Sequence, residues 1–436
     1  MNAVYANDFT AANKLLENDA KWEKRQRNVL LFYLNKGTVL FMDGQHEASN
    51  VYFRKADYLI EDFNKNAGDF AVSFLVNAKY STYNGENFEQ ILLHYYTTLN
   101  YLALNKTDEA LVEGKRMLAK MQRITDAYKS ENKYKRDAFA HNLLGMIYDM
   151  RGEYNDAFIA YRNALEIYQE DYTKNFDMVV PLQLKKDLIR TAKKIGFYEE
   201  QTAYEKQFNL KAEPIQDASA ELLFFWNNGL GPVKEQNSFN IIISPAGNGM
   251  VNLVNPELGI SMSWPVSQKN DRQDLLDMNF IRLALPKYVS RLPFYNQGRL
   301  EINNIQYPLQ MAENVNAIAF KSLQDRMAKE LAIGLGRVMA KQLAVHQLKK
   351  NKDQQGFAAA AMIYGAVSEQ ADTRNWQLLP HAIHYARVKV KPGAQQVKFS
   401  ATSEKETRLI KTYDLNLKAN QTKVLMSQTL DFTGYR

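Results

Sequence analysis

DAFAHNLLGMIYDMRGEYNDAFIAYRNALEIYQE, residues 137–170, decides the fold. His141, Leu144, Gly145 and Tyr148 stand at the spacing H-x2-L-G-x2-Y, and Ala157, Tyr161 and Ala164 follow as A-x3-Y-x2-A. Apolar and small residues recur every three to four positions on both sides of Gly152, which is the period of two amphipathic helices separated by a turn. Gly145, Ala157 and Ala164 are small enough to let two antiparallel helices approach closely, and Tyr148 and Tyr161 fill the space beside them. A unit of this size cannot bury its apolar face alone, so neighbours of the same kind are expected.

Fainter copies precede it. Gly37, Gly44, Phe53 and Ala56 keep the mutual spacing of Gly145, Gly152, Tyr161 and Ala164, with Ser49 at the place of Ala157. In residues 91–122, Tyr101 and Ala110 match Tyr148 and Ala157, His94 takes the place of His141, and Gly114 replaces the aromatic. Phe9 and Ala12 repeat the offset of Tyr154 and Ala157 and read as a second helix whose first is missing. Together these resemble the tetratricopeptide repeat, W-x2-L-G-x2-Y…A-x3-F…P. The resemblance implies an irregular α-solenoid of four or five helix pairs over residues 1–212, closed by a capping pair at 182–210. Residues 60–87 leave room for a further, degenerate pair, and KSENKYKRD (129–137) for an extended loop. The first helix of each pair lines the concave face. Its inward positions are Leu92, Tyr95, Leu99 and Leu102 in one pair and Phe139, Asn142, Met146 and Asp149 in the next. A partner-binding groove is expected there; the competing expectation is that the second half of the chain fills it.

Composition shifts after Ala212. Short runs rich in β-branched and aromatic residues, bounded by Gly, Pro and Asn, predict strands at 221–226, 239–244, 249–254, 260–264, 280–285 and 301–307. From about 308 to 350 the period changes to that of a long amphipathic helix, and GFAAAAMIYGAVS (356–368) is its expected packing partner across the polar KKNKDQQ. Gly334-x-Gly336 lies inside the helix, so close packing on a second helix is expected there, not phosphate binding. Strands return at 383–390, 395–400, 408–417 and 423–430, the first two joined at Lys391-Pro392-Gly393. The fold class is α+β multidomain: a helical repeat domain (1–212), then a β-rich, sandwich-like domain (213–436) carrying a helical hairpin at about 311–369.

The chemistry is sparse. The chain of 436 residues has no cysteine, which excludes disulfides, Cys-ligated metal and thiol catalysis. His381-x-x-His384 is the close histidine pair; on a strand that spacing points the rings to opposite faces, so packing outweighs metal binding. No nucleophile-elbow, H-E-x-x-H or phosphate-loop pattern is present, and no cofactor is expected. The formal charge of +7 is mildly basic, but Lys321, Arg326, Lys329 and Arg337 alternate with Asp325 and Glu330 as a solvated face, and no nucleic-acid motif is recognisable. ADTRNWQLLP (371–380) with Arg387 is the most distinctive word. Arg374, Trp376 and Arg387 are candidate partner anchors; the competing reading is an ion pair of Asp372 with Arg374 or Arg387 and Trp376 in the core.

HYYTTLNYLALNKTDEALVEGKRM (94–117), AIAFKSLQDRM (317–327) and ADTRNWQLLPHAIHYARVKVKPG (371–393) resemble a family of bacterial envelope proteins, mostly lipoproteins, that join a tetratricopeptide-like half to a β-rich half. The resemblance implies the periplasm, anchored to the outer membrane by a lipid on a segment absent from this sequence, and no established activity. The expected function is a non-enzymatic envelope scaffold or adaptor that binds a protein partner through the groove, the β domain or both. The alternative is an accessory protein that binds or processes envelope polysaccharide or peptidoglycan on Trp and Tyr platforms.

Overall fold

Five successive helix pairs turn through links of the same geometry in the computed structural model, which describes residues 2–18, 26–65, 82–128, 134–213, 218–257, 259–266, 269–277, 279–350 and 370–433. The pairs are α1 (Asn2–Tyr5) and α2 (Phe9–Asn18); α3 (Val29–Met42) and α4 (His46–Lys65); α5 (Asn87–Ala103) and α6 (Thr107–Tyr128); α7 (Ala138–Met150) and α8 (Tyr154–Ile167); α9 (Leu182–Lys194) and α10 (Tyr198–Phe208). In the middle of each link stands a left-handed residue: Asn7, Gly44, Asn105, Gly152 and Gly196, with φ between 55° and 78°. Each link also closes the same two backbone bonds; Gly44 N–H to Phe41 O and Gln45 N–H to Leu40 O recur as Gly152 N–H to Asp149 O and Glu153 N–H to Tyr148 O. Glycine supplies that conformation without a Cβ penalty and asparagine tolerates it. Asn2–Tyr5 thus stands as a one-turn first helix before Phe9, where the sequence reading has none.

The glycine–aromatic spacing has a direct cause. A Cβ on Gly145 would lie 2.5 Å from the Tyr161 ring, and one on Gly37 would lie 2.7 Å from Phe53. In the middle pair the arrangement is reversed: buried Thr98 takes the glycine's place and Gly114 the aromatic's. The expected extra pair at 60–87 and the loop at 129–137 fall largely outside the described residues; α4 itself continues to Lys65 and α6 to Tyr128.

Among the described residues the second half forms three sheets. The first has the order β12-β1-β9-β8, from Thr422–Thr429, Ala220–Asn228, Ala382–Val390 and Gln310–Glu313; β12 runs parallel to β1, whereas β9 and β8 are antiparallel. The second is β11-β10-β6-β7, from Thr407–Leu417, Gly393–Thr402, Gln297–Ile302 and Ile305–Pro308. The third is β4-β3-β2-β5, from Ile260–Pro265, Met250–Asn255, Val233–Pro245 and Phe280–Val289. Two expectations change here. The helix expected from about 308 begins at Val315 (α11, Val315–Lys350), because residues 310–313 pair with β9 and the Asn314 carboxamide caps the helix on Ala317 N–H at 3.0 Å. Gly334 packs not on a helix but on a strand, where its Cβ would meet Leu283 at 2.7 Å. The expected partner helix at 356–368 lies outside the described residues.

Strand β1 is covered on both faces. Leu222, Phe224 and Trp226 join Val397 and Phe399 of β10 in a layer between the first two sheets. Leu223 and Phe225 point the other way, into the cluster built by the helices. A strand covered on both sides needs no polar alternation, which is why Leu222–Trp226 reads as a continuous apolar run.

Candidate functional site

The inward faces of the helices meet the first sheet directly. Leu92, Tyr95, Leu99, Leu102, Phe139, Asn142 and Met146 are all buried. Phe139 lies 5.7 Å from Tyr95 and 6.4 Å from Phe225 of β1, ring centre to ring centre. The Tyr95 hydroxyl donates to Asn227 Oδ1 at 2.8 Å, and Tyr168 to the Ala312 carbonyl at 2.6 Å. The expected groove is therefore occupied by the chain's own strands, and these seven residues are at most 5% exposed.

Trp376 and Arg374 belong to the same closure. The Trp376 indole is 1% exposed, donates to Thr38 Oγ1 at 3.0 Å and packs beside Phe53 and Tyr96. Its backbone N–H donates to Glu89, a carboxyl that burial and the charge of Glu86 push up to about 7. Arg374 pairs with Asp372 at 2.7 Å and donates to the Arg27 carbonyl and Asn28 Oδ1, both at 3.0 Å. Neither side chain is free to anchor a partner or stack on a sugar. Trp226 is buried as well, so neither of these indoles provides the surface that a glycan platform requires.

Asp149 and Arg387 are brought together. Arg387 on β9 donates to Asp149 Oδ2 at 2.6 Å, to Glu221 of β1 at 3.0 Å through Nε, and to the Tyr161 hydroxyl at 3.2 Å. Arg190 on α9 pairs with Asp149 and with Asp187, the latter at 2.9 Å. Burial alone would raise the Asp149 carboxyl; the Arg387 and Arg190 guanidiniums more than reverse that and hold it well below the usual carboxylate range. Asp187, with one oxygen lacking any partner, stays raised because burial outweighs the same two cations. This cluster ties three helices to two strands.

Two adjoining clefts open beside it, of about 420 and 280 Å³, both bounded by Arg190, Glu213, Glu221, Arg387 and Lys389. Eight Lys or Arg side chains line them against four Asp or Glu, a surplus of four in a chain whose formal charge is +7. Glu213 is shared between Lys186 at 3.3 Å and Lys389 at 3.6 Å. Lys194 lies over the Tyr154 ring at 4.0 Å, leaving its ammonium at the rim. Sequence reasoning missed this rim because its members are scattered over residues 151–389. The KK pair at 193–194, in the last turn of a helix, was the available signal.

Two other expectations resolve here. His384 is buried on Trp226 at 4.7 Å, and among the described residues no group of three or more His, Asp or Glu converges as a metal site. Arg326 is not part of a solvated face; it and Lys234 both pair with buried Glu86.

No family model matches the chain, and no curated protein matches it. Among solved structures it is similar to the apo form of RapI, with 15% sequence identity and a TM-score of 0.34 over 47% of this chain and 49% of that one. Two structures of MamA also match, at 16% and 14% identity and TM-scores of 0.30 and 0.29; they are covered over 90% and 93% of their length, against 47% and 49% of this chain. The chain thus spans about half the length of RapI. At these scores the superpositions establish no shared fold.

Proposed function

We propose that this protein is a non-enzymatic scaffold of the cell envelope whose tetratricopeptide-like half carries the β half rigidly and whose partner, a protein with an acidic segment, docks at the basic double cleft. The observation that carries this reading is that the inward helix faces are filled by β1, β8, β9 and residues 371–380, while the clefts beside Arg387 stay open and cationic. Cations set around a concavity steer an acidic partner and fix its register more than they add raw affinity. The envelope location rests on the sequence resemblance alone.

Site-specific photocrosslinking in producing cells tests it. A photoreactive residue at Lys194 is expected to form protein adducts that disappear in a Lys193→Glu/Lys389→Glu background. The same residue at Leu99 or Phe139 is expected to give none. Adducts from Leu99 or Phe139, or adducts from Lys194 that ignore the charge reversal, would overturn the proposal.

A further inference from the structure

A second surface runs along one edge of the first sheet. Strand β12 is its edge: it pairs with β1, and among the described residues no strand pairs with its other side. The register fixes which peptide groups face outward. Glu221 N–H donates to Gln421 O and Gly229 N–H to Thr429 O, so the odd-numbered residues of β12 bond to β1. In a parallel ladder the alternate residues turn their N–H and C=O the opposite way. Thr422, Val424, Met426 and Gln428 therefore present peptide groups to the outside. The Met426 carbonyl confirms the direction, since it accepts from the Tyr413 hydroxyl of β11 at 2.8 Å.

That edge does not face bulk solvent along a flat sheet. It forms one wall of a groove of about 580 Å³ that runs along residues 423–429 without a break. The opposite walls are Phe9, Phe41, Met42 and His46 from the first two helix pairs and residues 408–411 and 413 of β11. Seven strand residues span roughly 20 Å at about 3.3 Å each, the length of a short extended peptide. Apart from the Met426 carbonyl, which an added strand would have to take over from the Tyr413 hydroxyl, this outward row bonds to no strand among the described residues. Such an edge in a groove is the geometry of strand addition, in which main-chain bonds supply affinity and flanking pockets supply selectivity. Arg408, Lys411 and Lys423 line the same groove against Asp43 and Asp431, and among the described residues neither lysine pairs with a carboxylate, Lys411 resting 5.0 Å from the Tyr413 ring centre.

We propose that the outer edge of β12 receives an extended acidic segment of a partner protein, which joins the first sheet as an added strand. This surface is separate from the basic double cleft, and the two readings stand or fall independently.

The test uses the full chain and a fluorescein-labelled peptide, acetyl-ETVTVE-amide, followed by anisotropy and by hydrogen exchange of the 422–429 segment. Saturable binding with new protection confined to that segment is expected. Met426→Pro removes an outward N–H and no ladder bond to β1, so it is expected to weaken binding at least tenfold while unfolding stays cooperative, at a midpoint lowered by the lost Met426 packing. Peptide N-methylated at alternate residues is expected to lose at least tenfold on the unaltered protein, which decides the matter even if the proline variant misfolds. A KTVTVK peptide is expected to bind more weakly than the acidic one. Absence of saturable binding, protection elsewhere, equal binding of the N-methylated peptide, or a preference for KTVTVK would overturn the proposal.

Discussion

At the scale of single residues, the helix pairs are set by which positions are too small to hold a side chain. Gly145 lies against Tyr161 so closely that an added Cβ would sit 2.5 Å from two ring carbons. Alanine is the better helix former by about 1 kcal/mol, but overpacking a filled core costs about 1–3 kcal/mol. Gly145→Ala is therefore expected to lower the urea midpoint, and Gly145→Ala/Tyr161→Leu to regain part of the loss. These positions were legible because two glycines, an aromatic and an alanine recur at the same offsets in two places. The turns at Asn7 and Asn105 were not, because asparagine is an ordinary loop residue until its φ is known. Histidine burial gives a second prediction at this scale. Burial pushes His384 down to about 3, and His381 and His141 to about 4. A folded-state value below the unfolded one of roughly 6.5 means that the stability is present above pH 6.5 and is lost as pH falls toward 3. Between pH 6.5 and 5, His384 alone accounts for about 2 kcal/mol. Urea unfolding at both pH values is expected to show a shallower loss in His384→Gln than in the parent.

At the scale of elements, strands and helices were readable but their partners were not. The apolar runs at 221–226 and 423–430 announce strands, yet nothing local says that they pair in parallel across some 200 residues. The short strand at 310–313 hides in what reads as the start of a helix, because its identity comes from β9 and not from its own period. What locks these elements together is the Asp149–Arg387–Glu221 cluster with Arg190 and Asp187. Arg387→Met leaves Asp149 with the Arg190 guanidinium alone and Glu221 without its guanidinium beside it, and removal of one partner from such a cluster costs up to about 3–5 kcal/mol. Chemical unfolding is expected to show that loss. Asp149→Asn/Arg387→Met is expected to lose less than the sum of the single changes, since the two share one interaction.

At the scale of the whole molecule, one apolar cluster runs from Leu30 through Phe139 to Tyr385 and Val424, so the helical half and the first sheet share a core. That closure was only half legible. Leu99 and Met146 look the same in sequence whether they face a foreign peptide or the chain's own strand; the unalternating run at Leu222–Trp226 was the sign that β1 is covered on both faces. The central claim is that the inward helix face is permanently covered, and the absence of cysteine makes it directly measurable. Met146→Cys places a thiol in the covered face and Leu15→Cys one on an exposed helix surface. The closed structure predicts that, under native conditions, the thiol at 146 reacts with a labelling reagent only through global unfolding, at a rate that climbs with urea, while the thiol at 15 reacts at once. Labelling at 146 that is fast and indifferent to urea would show that the two halves part to expose a groove, and would contradict the account.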